Sequence, residues 1–267
     1  MTSLSERAGV DIQWASDGTL KFGADWVVDE IFPRPRSRLR PVALDPDACE
    51  PADQTQYWMY NGITTSADRA RLAATGMRYE LTLMFPHALG RERAKTLGHL
   101  HSFPPNSTLN YPEICEVLHG TAYFVFQAMD TASKTASFCA ALEARPGDKV
   151  IIPPNLHHLT INAGDEPLLF SDVIPLDVKG IYQPLADMRG AAYLYTLDAE
   201  WIRNPFYRSV PVLEQWASRR YPEVLPDLPL YRIFAETPER LTWMLDPGRF
   251  GETFPDLRDV VPTTTGM

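Results

Sequence analysis

The sequence predicts a mainly β protein, a sandwich or barrel of many short strands with a few flanking helices. Two observations carry this. The chain has 24 prolines spread along its 267 residues, which disfavours long helices. Between Met77 and about Ile174, apolar or alternating segments recur at short, regular spacing with turn residues between them. "RYELTLMF" alternates and then turns apolar. "EICEVLHGTAYFVFQAM" reads as two strands with His119 and Gly120 at the turn. "KTASFCAALEA", "DKVIIPP", "HLTINAG" and "PLLFSDVIP" complete the set.

The flanks read differently. Residues 31–54 are expected to form an extended arm over a surface, with Arg34, Arg36, Arg38 and Arg40 as a solvated basic cluster rather than an anion site. Ser66–Gly76 is a short helix that Ser66 or Asp68 can cap and Gly76 can end. Beyond Pro175, residues 210–223 and the stretch "ETPERLTWMLDP" are predicted helices. From about residue 251 the chain is expected to be loose. This divides the sequence into an N-terminal arm (1–40), a barrel (41–207) and a C-terminal helical extension (208–267).

Composition excludes several function classes. An apolar fraction of 45% is that of a globular protein, and a net charge of −9 argues against non-specific nucleic-acid binding. Cys49, Cys115 and Cys139 form neither a CxxC pair nor an even set, which points to a reducing compartment. No apolar secretory region opens the sequence and no run of 18 apolar residues occurs. The expectation is a soluble cytoplasmic protein without a membrane partner.

The chemistry concentrates in "KTLGHLHSFPPNSTLNYPEICEVLHG", Lys95 to Gly120. On a strand, His99 and His101 point to the same face and can share a metal. Taken alone, such a pair fits hydrogen-bonded packing equally well. Further along, Glu113 is followed after six residues by Gly120, and Gly147, Pro153, His158 and Asn162 fall at fixed spacings. These positions resemble the two motifs of the cupins, which implies a double-stranded β-helix, a jelly-roll barrel. Asn155 stands where those motifs carry glycine, and Asn is the next-best residue for a left-handed turn. The resemblance makes His99, His101, Glu113 and His158 the candidate ligands of one divalent metal ion per chain. Three imidazoles and a carboxylate suit Fe(II) first, with Mn(II), Ni(II) or Zn(II) as alternatives. His157 and Glu116 have the opposite parity and are expected to face away. His87 and His119 read as surface residues.

A narrower resemblance appears at "YWMYNGI", "YELTLMF", "KTLGHLH", "YPEICEVLHG" and "PPNLHHLTINAGDEPL". Over roughly residues 40 to 207 the chain is similar to the cupin-type phosphoglucose isomerases of archaea and some bacteria. That resemblance implies interconversion of glucose 6-phosphate and fructose 6-phosphate, with Glu113 as metal ligand and general base. It also implies Thr82, Thr96 and Gly98 at the sugar phosphate, Tyr182 in the substrate pocket, and Lys95 as a candidate phosphate counter-charge. Homodimerisation by strand exchange follows from the same resemblance, with residues 31–54 as the exchanging element.

Three features depart from the family pattern. Cys115 replaces a tyrosine on the face that looks into the barrel, "VKGIYQPL" keeps only the tyrosine of its segment, and "SFPPNSTLN" is longer than usual. The expected function is therefore a metal-dependent aldose–ketose isomerase. The alternatives are a metal-dependent cupin enzyme (oxygenase, lyase or tailoring enzyme) acting on a different small molecule, and a non-catalytic sugar-binding cupin.

Overall fold

The computed structural model describes residues 3–262. Two sheets face each other across the barrel. The larger has the order β7-β4-β9-β3-β2-β1, built from β1 (Glu30–Pro35), β2 (Thr55–Asn61), β3 (Met77–Met84), β4 (Glu113–His119), β7 (Lys149–Ile152) and β9 (Leu168–Pro175), all antiparallel. The smaller has the order β8-β5-β6-β10, from β5 (Ala122–Asp130), β6 (Thr135–Ala144), β8 (His157–Asn162) and β10 (Glu214–Ala217). The mainly β barrel expected from the strand spacing is the observed architecture.

Register decides which side chains face the barrel interior. Asn61 pairs with Glu80, Glu80 with Asp172 and Asp172 with Cys115, so these four form one rung across β2, β3, β9 and β4. The rung two residues further along carries Met59, Thr82, Phe170 and Val117. Val117, Phe170, Met84, Val150 and Ile152 belong to the interior apolar cluster. The alternate positions, Tyr79, Leu81, Ile114, Leu118 and Val173, face outward, yet they too are buried.

The covering comes from both chain ends. Helix α1 (Leu4–Ala8), with the capping box of Ser3 and Glu6, leads into a hairpin whose Ile12 and Leu20 are buried. Helices α4 (Leu230–Glu236) and α5 (Phe250–Thr253), with a 3-10 turn between them, add Phe234, Trp243, Phe250 and Phe254 to the same outer layer. At β3 and β9 both faces of the sheet are therefore covered: every residue of β9, and every residue of β3 but Arg78, is buried. The segment before residue 41 is thus a packed layer rather than a free arm. Residues 251–262 are likewise anchored, by Phe254 at 0% exposure, and the rest of that stretch lies outside the described residues.

Three local expectations are corrected. Residues 210–223 are not helical: Glu214–Ala217 pairs in parallel with β6, and Trp216 packs on Phe126 and Phe138 at 5.5 and 5.6 Å between ring centroids. The open edge of β6 and an aromatic anchor override a helical spacing that Pro211 and Pro222 interrupt. Residues 31–54 begin as edge strand β1 and continue as two 3-10 turns. Arg36 within them is buried against the carbonyls of Ala48 and Ala88 at 2.6 and 2.8 Å. The predicted helix in "ETPERLTWMLDP" is a 3-10 turn over Pro238–Met244, preceded by α4, which the spacing did not indicate. Helix α2 (Arg69–Ala73) does form where expected, with Gly76 at φ +76° after its end, and one more short helix, α3 (Gln183–Asp187), follows Tyr182.

Candidate metal centre and substrate pocket

His99 and His158 are held opposite each other by reciprocal backbone hydrogen bonds, each N–H donating to the other's carbonyl at 2.9 Å. His101 lies two residues on, in a short strand whose partner is Gly180–Ile181. Ring nitrogens of the three histidines lie within 4.8 Å of one another. The Nδ1–H of His101 donates to Tyr111 O at 2.8 Å, and that of His158 to Leu156 O at 3.2 Å. Each carbonyl fixes the tautomer that leaves an Nε2 lone pair facing inward. Nε2 of His158 is buried without a hydrogen-bond partner.

Glu113 completes the group. Its Oε2 lies 3.3 Å from Nε2 of His101 and 3.5 Å from Nε2 of His158, while its Oε1 accepts the Cys115 thiol at 3.1 Å. Burial alone raises the Glu113 pKa, but the imidazoles of His101 and His158 outweigh it and hold the carboxyl well below its usual range. Burial pushes His99 well below, and His158 below, the usual histidine value. Neutral imidazoles presenting lone pairs to a carboxylate repel one another unless a cation sits between them. The donor set therefore fits a divalent metal ion.

The loop Ser102–Asn110 supports this centre. Asn110 donates to the His101 carbonyl, and its own N–H is taken by Asn155 Oδ1 at 3.0 Å. Asn155 has φ +62°, the left-handed turn for which the motif normally uses glycine. Gly98 is equally constrained. At φ +70°, a Cβ there would meet Leu185 Cδ1 at 2.7 Å, Leu159 Cβ at 2.9 Å and His158 O at 3.0 Å. Gly98→Ala is expected to cost about 2–4 kcal/mol, from left-handed strain and overpacking together. Urea unfolding checks this, and an unchanged midpoint would contradict it.

These residues open onto a cavity of about 280 Å³. Thr82, Thr96, Gly98 and Tyr182, the candidates named from sequence, all line it. Thr96 Oγ1 accepts the Thr160 N–H at 3.0 Å. Tyr182 is 41% exposed at the mouth, its ring 5.3 Å from that of His99. Cys115 points inward, as its parity required. Burial, with Glu113 and Asp172 adding to it, pushes its pKa well up and keeps it a thiol.

Lys95 is different. It is 3% exposed, faces away from the cavity, and gives its ammonium to Glu92 and to Val42 O at 2.7 Å. It is not a phosphate counter-charge. His157 faces away from the metal group, as its parity implied, and is buried beside Gln127 and Leu185, where burial lowers its pKa to about 4. Glu116 faces the outer layer, paired with Lys149 at 2.8 Å and accepting the Leu230 N–H at 2.6 Å.

Four charged residues of the cavity were not among the candidate site residues. Arg34 lines it with no carboxylate partner among the described residues, its guanidinium 5.9 Å from the Tyr57 ring centre. Arg78 pairs with Glu80 on β3, and Asp172 faces both from β9. Burial raises the pKa of Glu80 and, more strongly, that of Asp172. The available signals were parity, since Glu80 is two residues from Thr82, and the single charge within "LLFSDVIP".

Fold and site together define a cupin-like barrel with a histidine-rich group that could hold a metal ion. The family model described as glucose-6-phosphate isomerase (GPI) matches residues 34–211, and the chain belongs to that family. Glucose-6-phosphate isomerase of Pyrococcus furiosus is 29% identical over 111 residues, which are 42% of this chain and 53% of that protein. The enzyme of Thermococcus litoralis is 31% identical over the same shares. The chain spans about half the length of the curated relatives it matches. Among solved structures, a mutant of Bacillus subtilis oxalate decarboxylase is similar at 20% identity and a TM-score of 0.34, covering 49% of this chain and 29% of that one.

Proposed function

We propose that the chain is a cupin-type, metal-dependent aldose–ketose isomerase that interconverts glucose 6-phosphate and fructose 6-phosphate. The observation that carries this is the position of Glu113. One carboxylate oxygen faces the histidine nitrogens and the other faces the cavity beside Cys115. His99, His101, Glu113 and His158 hold the metal, with Fe(II) the expected ion. A divalent ion held there would supply Lewis acidity toward substrate oxygen. Glu113 moves the proton between C1 and C2, and the Cys115 thiol orients its free oxygen. Thr82, Thr96 and the backbone at Gly98 receive the phosphate, with Arg34 as the cation of that end. Tyr182 closes the mouth.

The reading includes a cytoplasmic homodimer. Three buried free cysteines suit a reducing compartment, and the edge strand β1 exposes Ile31 beside its open side. No helix among the described residues is long and apolar enough to cross a membrane.

The test is a coupled assay for fructose 6-phosphate conversion, with Fe, Mn, Ni and Zn added in turn to metal-free protein. Turnover with at least one ion is expected. Metal binding without turnover would reject the isomerase. It would leave the second reading, a metal-dependent cupin enzyme on another small molecule, which Cys115 and the altered segment before Tyr182 favour.

A further inference from the structure

Asp172 is 6% exposed and lines the cavity, and its side chain makes no hydrogen bond to any other described residue. Lone carboxyls are rarely left so in a β-strand interior, because an unpaired buried polar group costs stability. Its rung neighbours are polar as well. Glu80 is paired with Arg78, and Oδ1 of Asn61 is buried without a partner. Both residues line the cavity, so the Asn61 amide oxygen and the Asp172 carboxyl are open to a ligand that enters it.

The place of this rung says which part of a ligand it meets. Glu113 is two residues from Cys115 on β4, toward one end of the sheet. Thr82 is two residues from Glu80 on β3, toward the other, and Arg34 lies a further rung along through Tyr57. The Asn61–Glu80–Asp172–Cys115 rung therefore lies between the metal group and the proposed phosphate end, each step being about 6.6 Å along a strand. A phosphorylated sugar held at both ends presents its middle carbons there.

We infer that Asp172, with Asn61 and Glu80, is a specificity-determining site that reads the hydroxyl groups on the middle carbons of a polyhydroxylated phosphate substrate. Asn61 Oδ1 and the Glu80 carboxylate accept from substrate hydroxyls, and Asp172 bonds to a hydroxyl that no other group of the wall reaches. An epimer with that hydroxyl turned away leaves Asp172 unpaired, and discrimination arises from that loss. The inference rests on the sugar-phosphate reading for the two ends of the ligand, but not on turnover.

Calorimetry on the metal-loaded full chain tests it with glucitol 6-phosphate and its C3 and C4 epimers, allitol and galactitol 6-phosphate. None has a carbonyl, so none isomerises. The protein is expected to bind one of the three at least about tenfold more tightly than another. Asp172→Ala is expected to bring all three within about threefold, and Asp172→Asn, which keeps the shape, to give an intermediate ratio. Both variants are expected to melt at or above the temperature of the unaltered protein, since each removes an unpaired buried carboxyl. Equal binding of the three epimers by the unaltered protein would overturn the inference. So would undiminished discrimination in a folded Asp172 variant, and Asp172→Asn and Glu80→Gln keep that arm open if the alanine variant does not fold. Discrimination without isomerase turnover would retain this site and reject the proposed reaction. Turnover with discrimination independent of Asp172 would do the reverse.

Discussion

Changing Glu113 to Gln is expected to lower isomerase turnover by about 10²–10⁴-fold, equivalent to about 3–5 kcal/mol of transition-state stabilisation. The amide has the shape of the carboxyl and still offers an oxygen to Cys115, so the wall of the cavity is preserved. What it loses is the ability to take a proton at the oxygen facing the substrate. The measurement is made at saturating metal, because a weaker ligand at this position also lowers metal affinity. His158→Ala is the contrast. It removes an Nε2 that has no other partner and lowers metal content first, with activity following. If Glu113→Gln kept activity within about threefold at full metal loading, the general-base role would be lost and Tyr182 or Asp172 would have to supply it.

The parts of this centre that were legible in the sequence share a property. His99 and His101 at strand spacing, Glu113 seven residues before Gly120, and His158 four before Asn162 are set by local period and turn chemistry. A strand cannot change its period without turning every side chain over. The strands between Met77 and Pro175 were legible for the same reason. What was not legible depends on pairing between distant segments. Asp172 belongs to the site only because β9 lies between β4 and β3 in one register, which no local pattern encodes. Arg34 belongs because β1 adds to the sheet edge. From sequence, its segment looked like four alternating arginines in solvent, when Arg36 is in fact 6% exposed and satisfied by carbonyls. The strand Glu214–Ala217 failed as a helix because the unpaired edge of β6 and a tryptophan pocket outweigh an intrinsic preference worth a few tenths of a kcal/mol per residue.

The covering layer is a further case. The apolar outward positions of β3 and β9 signalled that something lay over them. That both chain ends do so follows from tertiary packing, through contacts such as the Arg7 guanidinium donating to Leu118 O at 2.8 Å. Barrel and covering layer are therefore expected to unfold in a single transition, with far-UV circular dichroism and tryptophan fluorescence giving the same midpoint. The outward-facing Glu116 links them directly, bonded at once to Lys149 of the barrel and the Leu230 N–H of α4.

Lys95 gives the second large effect, and it falls on stability rather than activity. Lys95→Met is expected to destabilise the fold by about 3–5 kcal/mol, because it leaves the carboxylate of Glu92, 1% exposed, without its cation. In a chain of this size that lowers the melting temperature by about 6–20 °C. The ammonium also holds Val42 O, and Glu92 accepts the Leu44 N–H at 2.5 Å, so the pair pins the segment after β1 to the strand that carries His99. Adding Glu92→Gln to Lys95→Met removes the stranded charge while keeping an acceptor for Leu44. The double variant is expected to recover more than half of the loss, the sign of a buried pair rather than of two independent contacts. Substrate affinity at the lower working temperature should not change in either variant, since the ammonium faces away from the cavity. A stable Lys95→Met protein with a raised KM would instead return Lys95 to the phosphate end.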